Sequence, residues 1–174
     1  YKDSLLFKIF LRSFYKKNNN DLEYKLYLVI YHDDPIYSQE KERKKLEKFI
    51  NLIKNVKIQI IHSNIEKGWV TKMWNLAFKT AYDDNCDYFY QCGDDIEFKT
   101  KDWTIDSIKT LKNHNDIGLT GPINNNNRIL TQSFVSRKHM EIFGWYFPIE
   151  IKNWCCDDWY NMVYYPKYLY PLHI

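Results

Sequence analysis

The chain has 174 residues, 45% of them hydrophobic and 27% charged, enough for one domain with its own core and within the composition of soluble globular proteins. A net charge of +3 is too small for a nucleic-acid footprint, and no apolar run approaches the roughly 20 residues that span a bilayer. Four cysteines without a CxxC pair or Cys/His spacing give no zinc signature and fit reduced thiols in a cytosol-like compartment.

Lys2, Asp3, Lys8 and Arg12 interrupt the opening stretch, so no signal peptide is legible. Because the chain begins at Tyr1 and not Met, it reads as a piece of a longer protein. The expected location is the cytoplasm, or the host cytoplasm if the gene is viral. Abundant Asn, Lys, Ile, Tyr and Phe are residues of AT-rich codons, and that bias reports a genome before it reports a function.

In chain order, Leu5, Leu6, Ile9, Phe10, Ser13 and Phe14 form one helical stripe over residues 4–16, with Ser4 as N-cap. "NNND" at 18–21 ends it. Leu26 to Tyr31 is an unbroken apolar run and reads as a strand covered on both faces, as in a parallel sheet. Pro35 and Ser38 open a second helix carrying Leu46, Phe49, Ile50 and Ile53. "QEKERKKLEKF" alternates in sign and reads as its solvated face.

"VKIQIIHS" follows as a strand. "GWVTKMWNLAFKTAYDD" is a loop and then a helix buried through Met73, Trp74, Ala77, Phe78 and Ala81. "DYFYQC" is the next strand. The second half reads as a short helix in "WTIDSIKTLKN", a strand in "DIGLTGP" and a loop tip in "NNNN" at 124–127. Then come a strand in "ILTQSFV" and a helix in "SRKHMEIFG" with Ser136 as cap and Gly144 as stop. "NWCCDDWYNMVYY" is a loop entering a helix. The alternation predicts an α/β layer with parallel strands in a single domain over 1–174.

Three acidic pairs carry the chemistry: Asp33–Asp34, Asp94–Asp95 and Asp157–Asp158. The first two follow predicted buried strands. In an open parallel sheet the strand C-termini converge on the edge where ligands bind. Carboxylates there suit Mg or Mn shared with substrate phosphates. The plain alternatives are solvated turn residues for Asp33 and Asp34, and dipole-complementing acids in a first helical turn for Asp157 and Asp158.

The block "NIEKGWVTKMWNLAFKTAYDDNCDYFYQCGDDIEF" resembles the centre of GT-A fold glycosyltransferases of the family-2-like kind. Gly68 and Asn75 sit at about the family spacing, and "CGDD" takes the place of D-x-D. The match departs at the first Asp, where Cys92 stands. "HDDP" resembles the acidic turn at the nucleotide base and ribose. "GPINNNNRILTQSFVSRKHMEIFGWYFP" resembles the acceptor-side segment, and "NWCCDDW" the motif that holds the catalytic base.

The resemblance implies a Rossmann-like, mostly parallel sheet flanked by helices. Residues 1–100 would form the nucleotide-sugar half and 101–174 the acceptor half. The family's first strand precedes the first helix, so it would lie upstream. The implied activity is metal-dependent transfer, with inversion, from a nucleotide-diphosphate sugar to a glycan or protein hydroxyl. Asp94, Asp95 and a late His173 would hold Mn2+ or Mg2+. Asp33, Asp34, Gly68, Lys72 and Asn75 would face the donor, and Asp157 or Asp158 would be the base, its carboxyl raised by Trp154 and Trp159 excluding water. Two other readings stand beside it. One is a polymerase palm presenting GDD between "YFYQC" and "IEF"; the other is a sugar-nucleotide fold that binds without turnover.

Overall fold

The computed structural model describes residues 5–124 and 128–174. Ser4, expected as a cap, and most of the "NNNN" tip lie outside the described residues. The first helical stripe forms, but in two parts: Leu6–Leu11 winds as a π-helix and continues as α1 (Arg12–Lys17). At the junction the Ser13 hydroxyl donates to the carbonyls of Ile9 (2.7 Å) and Phe10 (3.0 Å), and accepts from the Phe98 amide (3.0 Å). A serine bonding back onto its own turn distorts a helix locally.

The next elements follow the sequence pattern closely: β1 (Tyr24–Tyr31), α2 (Glu40–Ile50), β2 (Val56–Ser63), α3 (Val70–Asp83), β3 (Tyr88–Gln91) and α4 (Trp103–Lys112). Leu46 and Ile50 are fully buried on α2, while the α2 residue Phe49 faces outward at 36% exposure. After α4 come β4 (Leu119–Pro122), β5 (Ser133–Ser136), α5 (Lys138–Phe143), α6 (Cys156–Tyr164) and β6 (Leu169–Leu172). Gly144 stops α5 at φ 77°, its N–H donating to the Met140 carbonyl, a left-handed cap that glycine takes at little cost. β6 has no counterpart among the sequence expectations. "LYPL" is short and holds a proline, and its pairing with β4 comes from tertiary contact.

The strands form two sheets, not one parallel layer. β1 and β2 pair in parallel; the second sheet runs β3-β5-β4-β6, with β5 antiparallel to both neighbours and β4 parallel to β6. The α/β class therefore stands, while the sheet is mixed. β5 follows β4 through a loop too short to carry a crossover helix, and short connections make antiparallel neighbours.

Both sheets nevertheless present matching faces. Leu26, Leu28, Ile30, Tyr88 and Tyr90 pack into one core with Phe10, Phe14 and Trp103, whereas Tyr27 and Phe89 join a second core with Phe78, Val135 and Tyr160. Alternation along the strands sends neighbours to opposite sides. The strand starts also coincide: the Tyr27 hydroxyl meets the Asp84 carboxylate at 2.7 Å and Lys25 meets it at 3.7 Å. The approach to β3 thus lies beside the first half of β1. Two antiparallel pairings make β4 parallel to β3, and β6 follows β4. The C-terminal ends of β3, β4 and β6 share one edge of the second sheet, and those of β1 and β2 share one edge of the first. Among the described residues no helix is long and apolar enough to cross a membrane.

Candidate functional site

The acidic turn after β1 is built by its own carboxylates. Asp34 accepts from the amides of Ile36 (2.9 Å) and Tyr37 (2.6 Å), closing the turn that Pro35 begins. Asp33 is exposed and pairs with Lys67 at 2.7 Å. That hydrogen bond holds the Asp33 carboxyl below its ordinary range.

Lys67 belongs to the loop before α3. There Gly68 adopts φ 85°, a conformation that disfavours any side chain, and its N–H donates to the Tyr31 hydroxyl at 3.1 Å. Lys72 sits 3.4 Å above the Trp69 ring and Lys152 lies 5.3 Å from the same ring, a cation–π arrangement. The loop is tied to the approach to α6: the Thr71 hydroxyl donates to the Ile151 carbonyl, and the Thr71 amide to that of Lys152 at 3.3 Å. These ties join the turn after β1, the Gly68 loop and the segment before α6 in sequence.

Asn75 is engaged inside the protein. Its Oδ1 accepts from the amides of Tyr146 (3.1 Å) and Phe147 (2.8 Å), and its Nδ2 donates to the Phe147 carbonyl at 2.7 Å. The side chain splints the segment after α5 to α3.

Asp94 and Asp95 follow β3 on an exposed turn. A Cβ added to Gly93 would lie 2.5 Å from Asp95 Oδ1, so glycine there lets the Asp95 carboxylate fold back over the turn. Ile96–Phe98 forms no strand, and β3 pairs with β5. The GDD-bearing hairpin of a polymerase palm is therefore not formed. Cys92 stands where the first Asp of D-x-D was expected. Burial pushes its thiol up to about 12, with the Asp94 and Asp95 charges adding to the effect; at neutral pH it is a neutral group.

On α6, Asp157 is half-buried and accepts from the Tyr160 hydroxyl (3.3 Å) and the Cys156 thiol (3.5 Å). Burial raises its carboxyl above the ordinary range, and the neighbouring Asp158 charge adds to this. The tryptophan screen divides unequally: Trp154 is 88% exposed and shields nothing, while Trp159 packs among Phe143, Trp145 and Phe147. Asp158 points elsewhere, into an ion pair with Arg128 at 2.7 Å. Between the end of β3 and α6 lies Tyr146, a buried phenol that bonds Ser133 and stacks on Phe78, with ring centroids 3.5 Å apart; burial raises its hydroxyl well above the ordinary range.

His173 is exposed just beyond β6, on the same edge. Ile174 shares a small pocket with Ile96, Glu97 and Phe98, which brings the chain end beside the Asp94–Asp95 turn. Among the described residues no group of three or more His, Cys, Asp or Glu side chains is arranged to hold a metal ion. The donor set at the turn is a pair of exposed carboxylates, which fits Mg or Mn held by one or two carboxylates with substrate phosphates completing the shell. Thr71, Tyr146, Lys152 and Arg128 were not singled out by sequence reasoning. Each is an ordinary residue in its own segment, and only long-range contacts give it a part.

The chain matches no protein-family model, no curated protein and no solved structure.

Proposed function

We propose that the chain is a nucleotide-sugar-dependent glycosyltransferase of the GT-A kind, transferring a sugar from a nucleotide diphosphate to a glycan or protein hydroxyl with inversion. The observation that carries this reading is the half-buried Asp157 with its raised carboxyl, at the end of a run of ties from the turn after β1 through the Gly68 loop to the approach to α6. The turns after β1 and β3 carry Asp33–Asp34 and Asp94–Asp95, and Asp34 and Asp94 both line the slot-shaped cavity between those strands.

In this reading the Gly68 loop closes over the donor, and Lys72 supplies positive charge toward its phosphates. Asp94 and Asp95 would hold a divalent cation, which when bound neutralises charge on the departing diphosphate. Asp157 takes the acceptor proton. Its raised carboxyl brings it closer to the operating pH, where a base is most effective, and Asp158 is committed to Arg128. The donor's base and ribose lie toward the Asp33–Asp34 turn. Asn75 acts from within, by fixing the segment after α5.

The neutral thiol of Cys92, standing where D-x-D has its first carboxylate, favours one competing reading, a fold that binds sugar nucleotides without turning them over. A donor-hydrolysis and transfer screen with Mn separates the two. Asp157→Asn and Asp94→Ala should each lower turnover by about 10²-fold or more while leaving the melting temperature within a few degrees. Equal nucleotide release by the unsubstituted protein and by Asp94→Ala sinks the metal assignment. Stabilisation by nucleotide diphosphates, about 2.7 kcal/mol at 100 times the dissociation constant, without turnover, selects the binding-only reading.

A further inference from the structure

Asp157 is held through one of its two oxygens. Its Oδ1 accepts from the Tyr160 hydroxyl at 3.3 Å and from the Cys156 thiol at 3.5 Å. Its Oδ2 has no hydrogen-bond partner among the described residues, and no cation is paired with the carboxylate there. Those two neutral donors are therefore what meets its charge.

The Tyr160 hydroxyl carries a single proton and stands within reach of two acceptors, Asp157 and the Leu130 carbonyl at 3.0 Å. The Leu130 carbonyl does not depend on it. Asn161 Nδ2 donates to that carbonyl at 2.8 Å, and Asn161 Oδ1 accepts from the Leu130 amide at 2.9 Å. Tyr160 is completely buried and its ring lies against Phe147, so its hydroxyl has no water to turn to. An ionised carboxylate is the stronger acceptor. The Tyr160 proton goes to Asp157 when that group is charged and returns to Leu130 when it is not.

Both donors keep their protons at neutral pH. Burial pushes the Cys156 thiol up to about 12 and the Tyr160 hydroxyl well above the ordinary phenol range. The titratable groups facing Asp157 are Cys156, Tyr160 and Asp158 on α6 and Tyr146 from the segment after α5. Arg128, from the loop before β5, is held on Asp158.

We infer that Tyr160 and Cys156 are positioning residues for Asp157: they anchor its ionised carboxylate through Oδ1 and leave Oδ2 as the oxygen that takes the acceptor proton. This rests on the reading of Asp157 as the base of a sugar transfer. In that transfer the acceptor oxygen bonds the anomeric carbon. The bond from that carbon to the diphosphate breaks with its electron pair on the diphosphate, and the acceptor proton passes to Oδ2. Burial alone keeps a carboxyl protonated, and so idle as a base, up to higher pH; hydrogen bonds to the charged form oppose that.

The test follows the Asp157 carboxyl of the free protein by carbon NMR, its resonance identified by its loss in Asp157→Asn. Tyr160→Phe removes only the hydroxyl and leaves the Leu130 carbonyl to Asn161. It should raise the Asp157 titration midpoint by about one pH unit, and Cys156→Ala should raise it by less. In transfer assays with Mn, the acid limb of kcat against pH should move up by the same shift, with the donor KM held within about twofold. A role confined to packing leaves midpoint and limb where they are. If Tyr160→Phe fails to fold, the Cys156→Ala shift decides. An unmoved midpoint overturns the inference, whether or not the protein transfers sugar. A moved midpoint with an unmoved acid limb also overturns it, because the anchored carboxylate is then not the base. A moved midpoint in a protein that transfers no sugar supports the anchoring and counts instead against the glycosyltransferase reading.

Discussion

β1 and β5 are both apolar strands in the middle of their halves, yet their fates differ. β5 is paired along both edges, and all four of its residues are buried, Ser133 and Val135 completely. β1 is paired along one edge, and of its eight residues only Ile30 is fully buried. The longer and more apolar strand is the less buried one. Burial of a strand is a property of its neighbours, and among the described strands β1 is paired on one edge only.

The largest effect that can break this comparison is a matched truncation. Leu119, on β4, is fully buried, and Leu119→Ala should cost about 2–5 kcal/mol in urea denaturation. Leu28, on β1, borders the slot and is half-buried. Leu28→Ala should cost about 1 kcal/mol, because part of its surroundings is already void and the lost packing is smaller. Equal costs would mean that the slot is closed in solution.

A second effect belongs to the closed half alone. His139 is buried, its Nδ1 meeting the Tyr164 hydroxyl at 2.7 Å and its Nε2 facing the Tyr146 carbonyl at 3.1 Å. Burial lowers it to about 4. The unfolded chain then binds more protons than the folded one below about pH 6.5. Stability is fully present above that value and falls as pH drops toward 4, by on the order of 3 kcal/mol. Chemical denaturation at pH 7 and pH 4.5 should show this slope, and His139→Gln should flatten it. A variant with an unchanged slope would place the proton uptake elsewhere.

The smallest effect lies on the open half. Lys67→Ala removes the exposed partner of Asp33. The Asp33 carboxyl should rise back to its ordinary range in an NMR titration while the melting temperature stays within error, since exposed ion pairs contribute little. A clear loss of stability would mean that the turn after β1 is less solvated than its exposure suggests.

How much was legible divides along physical lines. Helical and strand spacing placed β1, α2, β2, α3, β3 and α4 to within a few residues, because an apolar stripe or run is a local signal. The three acidic pairs could be found by inspection, and the first two stand on the turns directly after β1 and β3, as expected. The reasons that Asp158 faces Arg128, that Asn75 grips the backbone after α5, and that Trp154 stands in solvent could not be read from the sequence. Each depends on a partner at least 30 residues away or on the absence of one nearby. β6 escaped notice because "LYPL" becomes a strand only by pairing with β4.

The sequence by itself determined the alternation of elements, the acidic turns and the apolar character of β1, since all three are written in neighbouring residues. Tertiary structure alone decided that the strands divide into two sheets, that Asp157 is half-buried while Asp158 faces Arg128, and that an unpaired slot separates β1 from β3. Those outcomes turn on which backbone edges and side chains meet across the fold, and hydrogen bonding and desolvation are set by that meeting and not by the order of residues along the chain.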